Sequence, residues 1–233
     1  MTFVLGMLCK NGIVMCSDSL ESDGYSRSEV QKLNGFSHED GRWGISWGCA
    51  GDAPVIKRFD DKLREFINKE KSQYDRHRLE EIIETLVKKM RDDYPDERLS
   101  LVASLWGKVK DKSPETRLYS IKEGSNCLGV ESYFACTGMD LSLGRFLLDS
   151  IFYPEITTIE GTRLGIFVTH VMKEKADGVG GATQILFYDS RVQTEWIQSN
   201  TRGVTEFERA RYQISGIEKV IKRFWCSSSD VPE

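Results

Sequence analysis

A threonine follows the first methionine in Met1-Thr2-Phe3-Val4-Leu5-Gly6. If Met1 is removed, Thr2 carries a hydroxyl and a free α-amine on one residue, a nucleophile with its own base attached. A threonine hydroxyl attacks poorly until its proton is taken, and an N-terminal amine is one of the groups that can take it. Such an amine titrates at about 7.7–8.0, close to working pH, where a general base is most useful. Lys32 is the second residue of interest. An ammonium beside the amine of Thr2 would disfavour its protonation, keep it a base and stabilise charge on the attacking oxygen. Asp18 is the third. It closes an apolar run, a place where a carboxylate ordinarily caps a turn, but a buried ammonium needs such a partner.

Other chemistries find little support. His38, His77 and His170 are widely separated, with no HExxH or paired ligand spacing, and no G-x-S-x-G occurs. The glycines of Asp177-Gly178-Val179-Gly180-Gly181 precede a strand rather than a helix and lack the lysine of a phosphate loop. No metal and no cofactor is expected. The formal net charge is −4, with both signs interspersed, which gives no basic field for nucleic acid. No apolar run approaches the ~20 residues of a membrane span, and the N-terminus does not read as a signal peptide. The six cysteines show no framework spacing and mostly sit in apolar, strand-like segments, so a reducing cytoplasm is the natural compartment.

The elements that must position Thr2, Asp18 and Lys32 follow from periodicity. Residues 3–9 and 12–17 are short apolar runs around Lys10-Asn11-Gly12, a hairpin signal that places Thr2 at the start of a sheet. Residues 43–49 read as another strand. Val55, Ile56, Phe59, Leu63, Phe66 and Ile67 then form one helical stripe, and Leu79, Ile82, Ile83, Leu86, Val87 and Met90 a second. Asp52 can cap the first helix and Pro54 suits its first turn. Strands are expected at 99–107, 117–122 and 132–136, with a turn at 110–115. A helix over about 140–151 follows, and a second begins at Thr157, whose pairing with Glu160 reads as a capping box. Strands 182–189 and 192–197, a helix near 205–223 and a polar tail from about 226 close the chain. One domain over 1–233 suits this length. Helices in pairs between strand groups suggest an α+β fold, a four-layer α-β-β-α sandwich with two antiparallel sheets between two helix layers.

The early segment runs from Thr2 through Gly12-Ile13-Val14-Met15-Cys16-Ser17-Asp18, Gly24, Val30-Gln31-Lys32 and Trp47-Gly48-Cys49-Ala50-Gly51-Asp52. With one residue's gap between Gly24 and Val30, this spacing resembles the proteasome β-subunit family of threonine-type N-terminal-nucleophile hydrolases. The resemblance implies Thr2 as nucleophile, Lys32 and Asp18 as its ion pair, and the N–H of Gly48 as an oxyanion donor. Thr137, in Cys136-Thr137-Gly138, would supply a hydroxyl to the α-amine. Asp177 would match the family's aspartate, although Gly180 stands where that pattern has serine. By register Glu21, Val30, Ser46, Ala50 and Pro54 would line the substrate side-chain pocket.

The activity so implied is hydrolysis of a peptide or unfolded protein by a chain that self-associates into stacked rings. The number of subunits per ring is open, and no residue points to a regulatory ATPase. Two alternatives stand beside it: a catalytically silent ring subunit, and an amidohydrolase acting on a small amide.

Overall fold

A computed structural model describes residues 2–22, 26–38, 43–69, 75–107 and 115–191. The expected strand at 192–197, the helix near 205–223, the polar tail and most of the 110–115 turn lie outside them.

The chain opens as the sequence suggests, with β1 (Phe3–Cys9) and β2 (Gly12–Asp18) in an antiparallel hairpin. Asn11 at the turn does more than reverse the chain. Its side chain donates to Thr158 Oγ1 (2.9 Å) and accepts from the Thr158 N–H (3.0 Å), tying the turn to the start of a distant helix. Both strands are buried on both faces, which is why they read as near-continuous apolar runs. They form the centre of a four-stranded sheet with β10 (Phe134–Gly138) beside β1 and β11 (Thr183–Asp189) beside β2.

A five-stranded sheet follows the order β5 (Leu33–Ser37), β6 (Trp43–Gly51), β7 (Leu99–Gly107), β8 (Glu115–Ile121) and β9 (Gly129–Glu131). Its inner face meets the first sheet in one cluster: Val4, Met15, Ala135 and Leu186 from one side, Leu33, Val102 and Leu118 from the other.

The helices seal the outer faces. α1 (Ala53–Lys69) buries Val55, Phe59, Leu63 and Ile67, while Ile56 and Phe66 flank that stripe half-buried. α2 (Arg76–Asp93) buries all six residues of its expected stripe, with Asp75 capping the helix by accepting from the Arg78 N–H. Each such aliphatic or aromatic side chain contributes roughly 1.5–3 kcal/mol when removed from water. Asp52 stands at the start of α1 as expected, its carbonyl accepting from the Ile56 N–H (3.1 Å), while its carboxylate accepts from the Arg98 N–H (2.6 Å) rather than from the helix. Over the first sheet lie α3 (Leu141–Ile151) and α4 (Thr158–Lys175), the latter opening with the expected Thr157–Glu160 capping box. α4 sits close to the sheet because Gly161 and Gly165 leave room for the sulfurs of Cys9 and Cys16. Burial pushes the Cys9 thiol up to about 12, and the Cys16 and Cys49 thiols are raised for the same reason. Among the described residues no helix is long and apolar enough to cross a membrane.

The class is α+β, but the expected four-layer sandwich of two sheets is not what the chain builds. There are three antiparallel sheets among the described residues. The third is a two-stranded ribbon, β3 (Leu20–Ser22) with β4 (Arg27–Glu29), in the register Leu20↔Glu29. Its strands are three residues each and mostly polar, so no alternating apolar pattern announces them. What forms the ribbon is backbone bonding: Val30 N–H donates to Ser19 C=O (2.8 Å), returning the chain to the end of β2.

Candidate active site

Antiparallel pairing brings chain-distant residues to one rim. Phe3 lies opposite Gly138, Val4 opposite Ser17 and Asp18 opposite Thr183. In the second sheet Leu33 is opposite Gly48 and Ala50 opposite Ser100. Thr2, Asp18 and Lys32 all stand on this rim.

Asp18 is completely buried. Its Oδ1 accepts from the Phe3 N–H (2.9 Å) and its Oδ2 from the N–H groups of Gly180 (3.1 Å) and Leu20 (3.3 Å). Lys32 Nζ donates to both carboxylate oxygens at 3.0 Å and to the Leu20 carbonyl at 2.5 Å. A buried carboxylate so surrounded is held in one orientation with its acceptor capacity used. Burial pulls the Lys32 ammonium below its usual range, and the adjacent Asp18 carboxylate opposes that pull. The ammonium and the amide N–H directly after Thr2 share one oxygen, so the couple lies beside the first peptide bond of the sheet.

Two residues that sequence reasoning missed support this couple. Gln184 on β11 accepts from the Lys32 and Leu33 N–H groups (2.8 and 3.1 Å) and donates to the Val30 carbonyl (2.6 Å), pinning the segment that carries the lysine. Lys173, in the last turn of α4, donates to Gly181 C=O and Thr183 Oγ1 at 2.7 Å each. It thereby fastens the turn whose Gly180 contacts Asp18. Burial pulls the Lys173 ammonium down to about 8, against the opposing fields of Asp18 and Glu29. Neither had a local signal: a lone glutamine in a strand and a lysine among the charges of a helix end look ordinary.

Thr2 is not a loose terminal residue. Its carbonyl accepts from the Met139 N–H (2.8 Å), and it is almost fully enclosed at 9% exposure. Gly138 holds it from the other side with φ +108°, and a Cβ there would lie 1.8 Å from the Thr2 carbonyl oxygen. Gly138→Ala is therefore expected to cost at least about 1–3 kcal/mol from backbone strain alone, read as a lowered thermal midpoint. A midpoint equal to the parent's would show that Thr2 is free to move aside.

The remaining expected residues divide. Thr137 is buried next to Gly138, and its hydroxyl donates to Ser100 Oγ (2.5 Å), which donates to Ala50 C=O (3.2 Å). Gly48 lies inside β6, where a Cβ would come within 2.7 Å of Val4 and 2.9 Å of Leu33, so its lack of a side chain has a packing reason. Asp177, matched to the family's aspartate, is exposed just past α4. The α4 end turns away through Gly178, and Gly180 reaches the couple by its backbone instead.

Of the five expected pocket residues, Ala50 joins Thr2, Gly51, Ser100, Thr137 and Gly138 in lining a cavity of about 550 Å³. Glu21 and Val30 are half-buried on and after the β3–β4 ribbon, and Pro54 is exposed in the first turn of α1. Ser46 is not among the residues lining that cavity. It is fully buried between the sheets, with its hydroxyl on Ser104 Oγ (2.5 Å) and Met15 sulfur (2.9 Å).

The fold of this α+β chain has solved representatives. Anbu from Hyphomicrobium sp. strain MC1, as a Gly-1 mutant, matches with a TM-score of 0.79 at 14% identity, over 100% of this chain and 99% of that one. Anbu from Yersinia bercovieri, described as an ancestral beta-subunit, matches at 0.77 and 15% identity over 99% and 98%. The Pseudomonas aeruginosa chain, from a helical assembly of the Anbu complex, matches at 0.71 and 16% identity over 99% and 97%. Neither a protein-family model nor a curated protein sequence matches the chain. These findings correct the resemblance drawn from the first 60 residues. Membership of the proteasome β-subunit family is not upheld, and the likeness that the whole chain does carry is to Anbu structures, at identities that establish fold alone.

Proposed function

We propose that this chain is an N-terminal-nucleophile amide hydrolase in which Thr2, freed of Met1, attacks the carbonyl of a peptide bond. One observation carries the reading: the buried Asp18 carboxylate that binds Lys32 Nζ also accepts the N–H of Phe3, so an ammonium is held next to the residue that follows Thr2. The α-amine of Thr2 takes the hydroxyl proton through a water, and Lys32 keeps that amine unprotonated and offsets the charge on Oγ. The carbonyl oxygen gains negative charge as the C–O bond forms, and the Gly48 N–H is the proposed donor to it. The leaving amine departs with the relayed proton, and water then hydrolyses the ester to regenerate Thr2.

The cavity of about 550 Å³ beside Thr2 is of a size to receive a peptide segment. The Pseudomonas protein is described as a helical assembly, and Phe146, Val130, Ile159 and Tyr133 are more than half exposed on this chain. Self-association would cover such apolar surface; sedimentation and electron micrographs distinguish a closed ring from an open helix.

The direct test is an intact-mass measurement before and after incubation with a β-lactone, which acylates an activated N-terminal threonine. Loss of Met1 followed by one stoichiometric adduct on Thr2, together with cleavage of a fluorogenic peptide, is the expected result. A chain that retains Met1, or that loses it and remains unmodified, would leave the silent-subunit alternative in its place.

A further inference from the structure

The hydroxyls of Ser100 and Thr137 meet at 2.5 Å in the wall of the cavity that also contains Thr2, and both residues are buried. A hydroxyl has a single proton to give. The Ser100 proton goes to the Ala50 carbonyl at 3.2 Å. In the contact with Thr137 the serine oxygen must therefore accept, and Thr137 must donate. That commits the Thr137 proton as well and leaves its Oγ1 with lone pairs only. Thr137 sits opposite Val4 in the β10–β1 register, one residue before the glycine that touches the Thr2 carbonyl.

We propose that Ser100 is a positioning residue that fixes Thr137 as a pure acceptor toward the α-amine of Thr2. The inference rests on the reading of Thr2 given above. An acceptor at this place takes an N–H from the amine and leaves the amine lone pair turned toward the hydroxyl proton it has to remove. Without Ser100, the Thr137 O–H is released and swings to donate into that lone pair. The neutral amine then gains a hydrogen bond that competes with catalysis, and its protonation is disfavoured.

The test needs no peptidase activity. The chain is released from a cleavable leader so that Thr2 is the first residue, with the mass verified. The midpoint of α-amine acylation by a small active ester is then measured between pH 5 and 10. Ser100→Ala is expected to lower that midpoint by about one unit, the size of one net hydrogen bond, and Ser100→Thr to restore it. In a Thr137→Val background the Ser100→Ala change should move nothing, which keeps the test valid if either single variant is less stable. An unchanged midpoint in Ser100→Ala, or an equal shift in the Thr137→Val background, overturns the proposal. A shift in midpoint without any hydrolysis by the parent chain would keep Ser100 in its role and remove Thr2 from its own.

Discussion

Thr2→Ala is expected to leave the melting curve almost unchanged while lowering peptide hydrolysis at least about 1000-fold, the scale on which a lost nucleophile is felt. The structure separates the two effects. The anchoring of Thr2 comes from its carbonyl, which accepts from Met139, and from the close approach of Gly138; neither involves the side chain. Deleting Oγ1 and a methyl group removes the reacting atom but no described backbone bond. Thr2→Ser keeps a hydroxyl and an amine and should retain much of the rate. Hydrolysis that survives Thr2→Ala at the parent level would assign the activity to another residue or to a contaminating peptidase.

How much of this was legible in the sequence varies with the range of the interaction. Local patterns translated directly. The α2 stripe is buried residue for residue, and the Thr157–Glu160 capping box forms as read, because both depend on spacings within one or two turns. Asp18 and Lys32 were singled out and do pair, since few residue types can satisfy one another when buried. Long-range partners left no trace. Gln184 bonds a segment some 150 positions away, and Ser100 meets Thr137 only after two sheets have stacked.

The β3–β4 ribbon was missed because backbone bonding, not apolar alternation, defines it. Ser46 and Asp177 were singled out by position in a pattern alone, which says nothing of burial: the fold puts the first in the core and leaves the second exposed. The same weakness undid the family resemblance. Five short elements in register specify a rim of strands well, and a lineage poorly.

Asp18→Asn tests the couple itself and carries the largest expected effect on stability. The substitution keeps the shape of the side chain but removes the charge opposite an ammonium whose side chain is only 6% exposed. Breaking one side of a buried ion pair costs about 3–5 kcal/mol, because the other charge is left uncompensated. The asparagine also replaces one accepting oxygen with an NH₂ group, so at least one of its donors from Lys32, Phe3, Gly180 or Leu20 would face another donor. The penalty should depend on pH in a specified direction. Burial already lowers the pKa of Lys32, and Asp18 is the first group opposing that shift. In Asp18→Asn the folded-state pKa falls further below the unfolded value, so the unfolded chain binds more protons than the folded one. Stability of the variant then rises with pH, and its deficit against the parent narrows as Lys32 sheds its proton. Lys32→Met should cost less than Asp18→Asn, since the carboxylate keeps three backbone N–H donors, and should partly rescue it in the double variant. A deficit that stays constant from neutral to alkaline pH, with no rescue by Lys32→Met, would mean that the two charges do not depend on one another and that the site is not built around them.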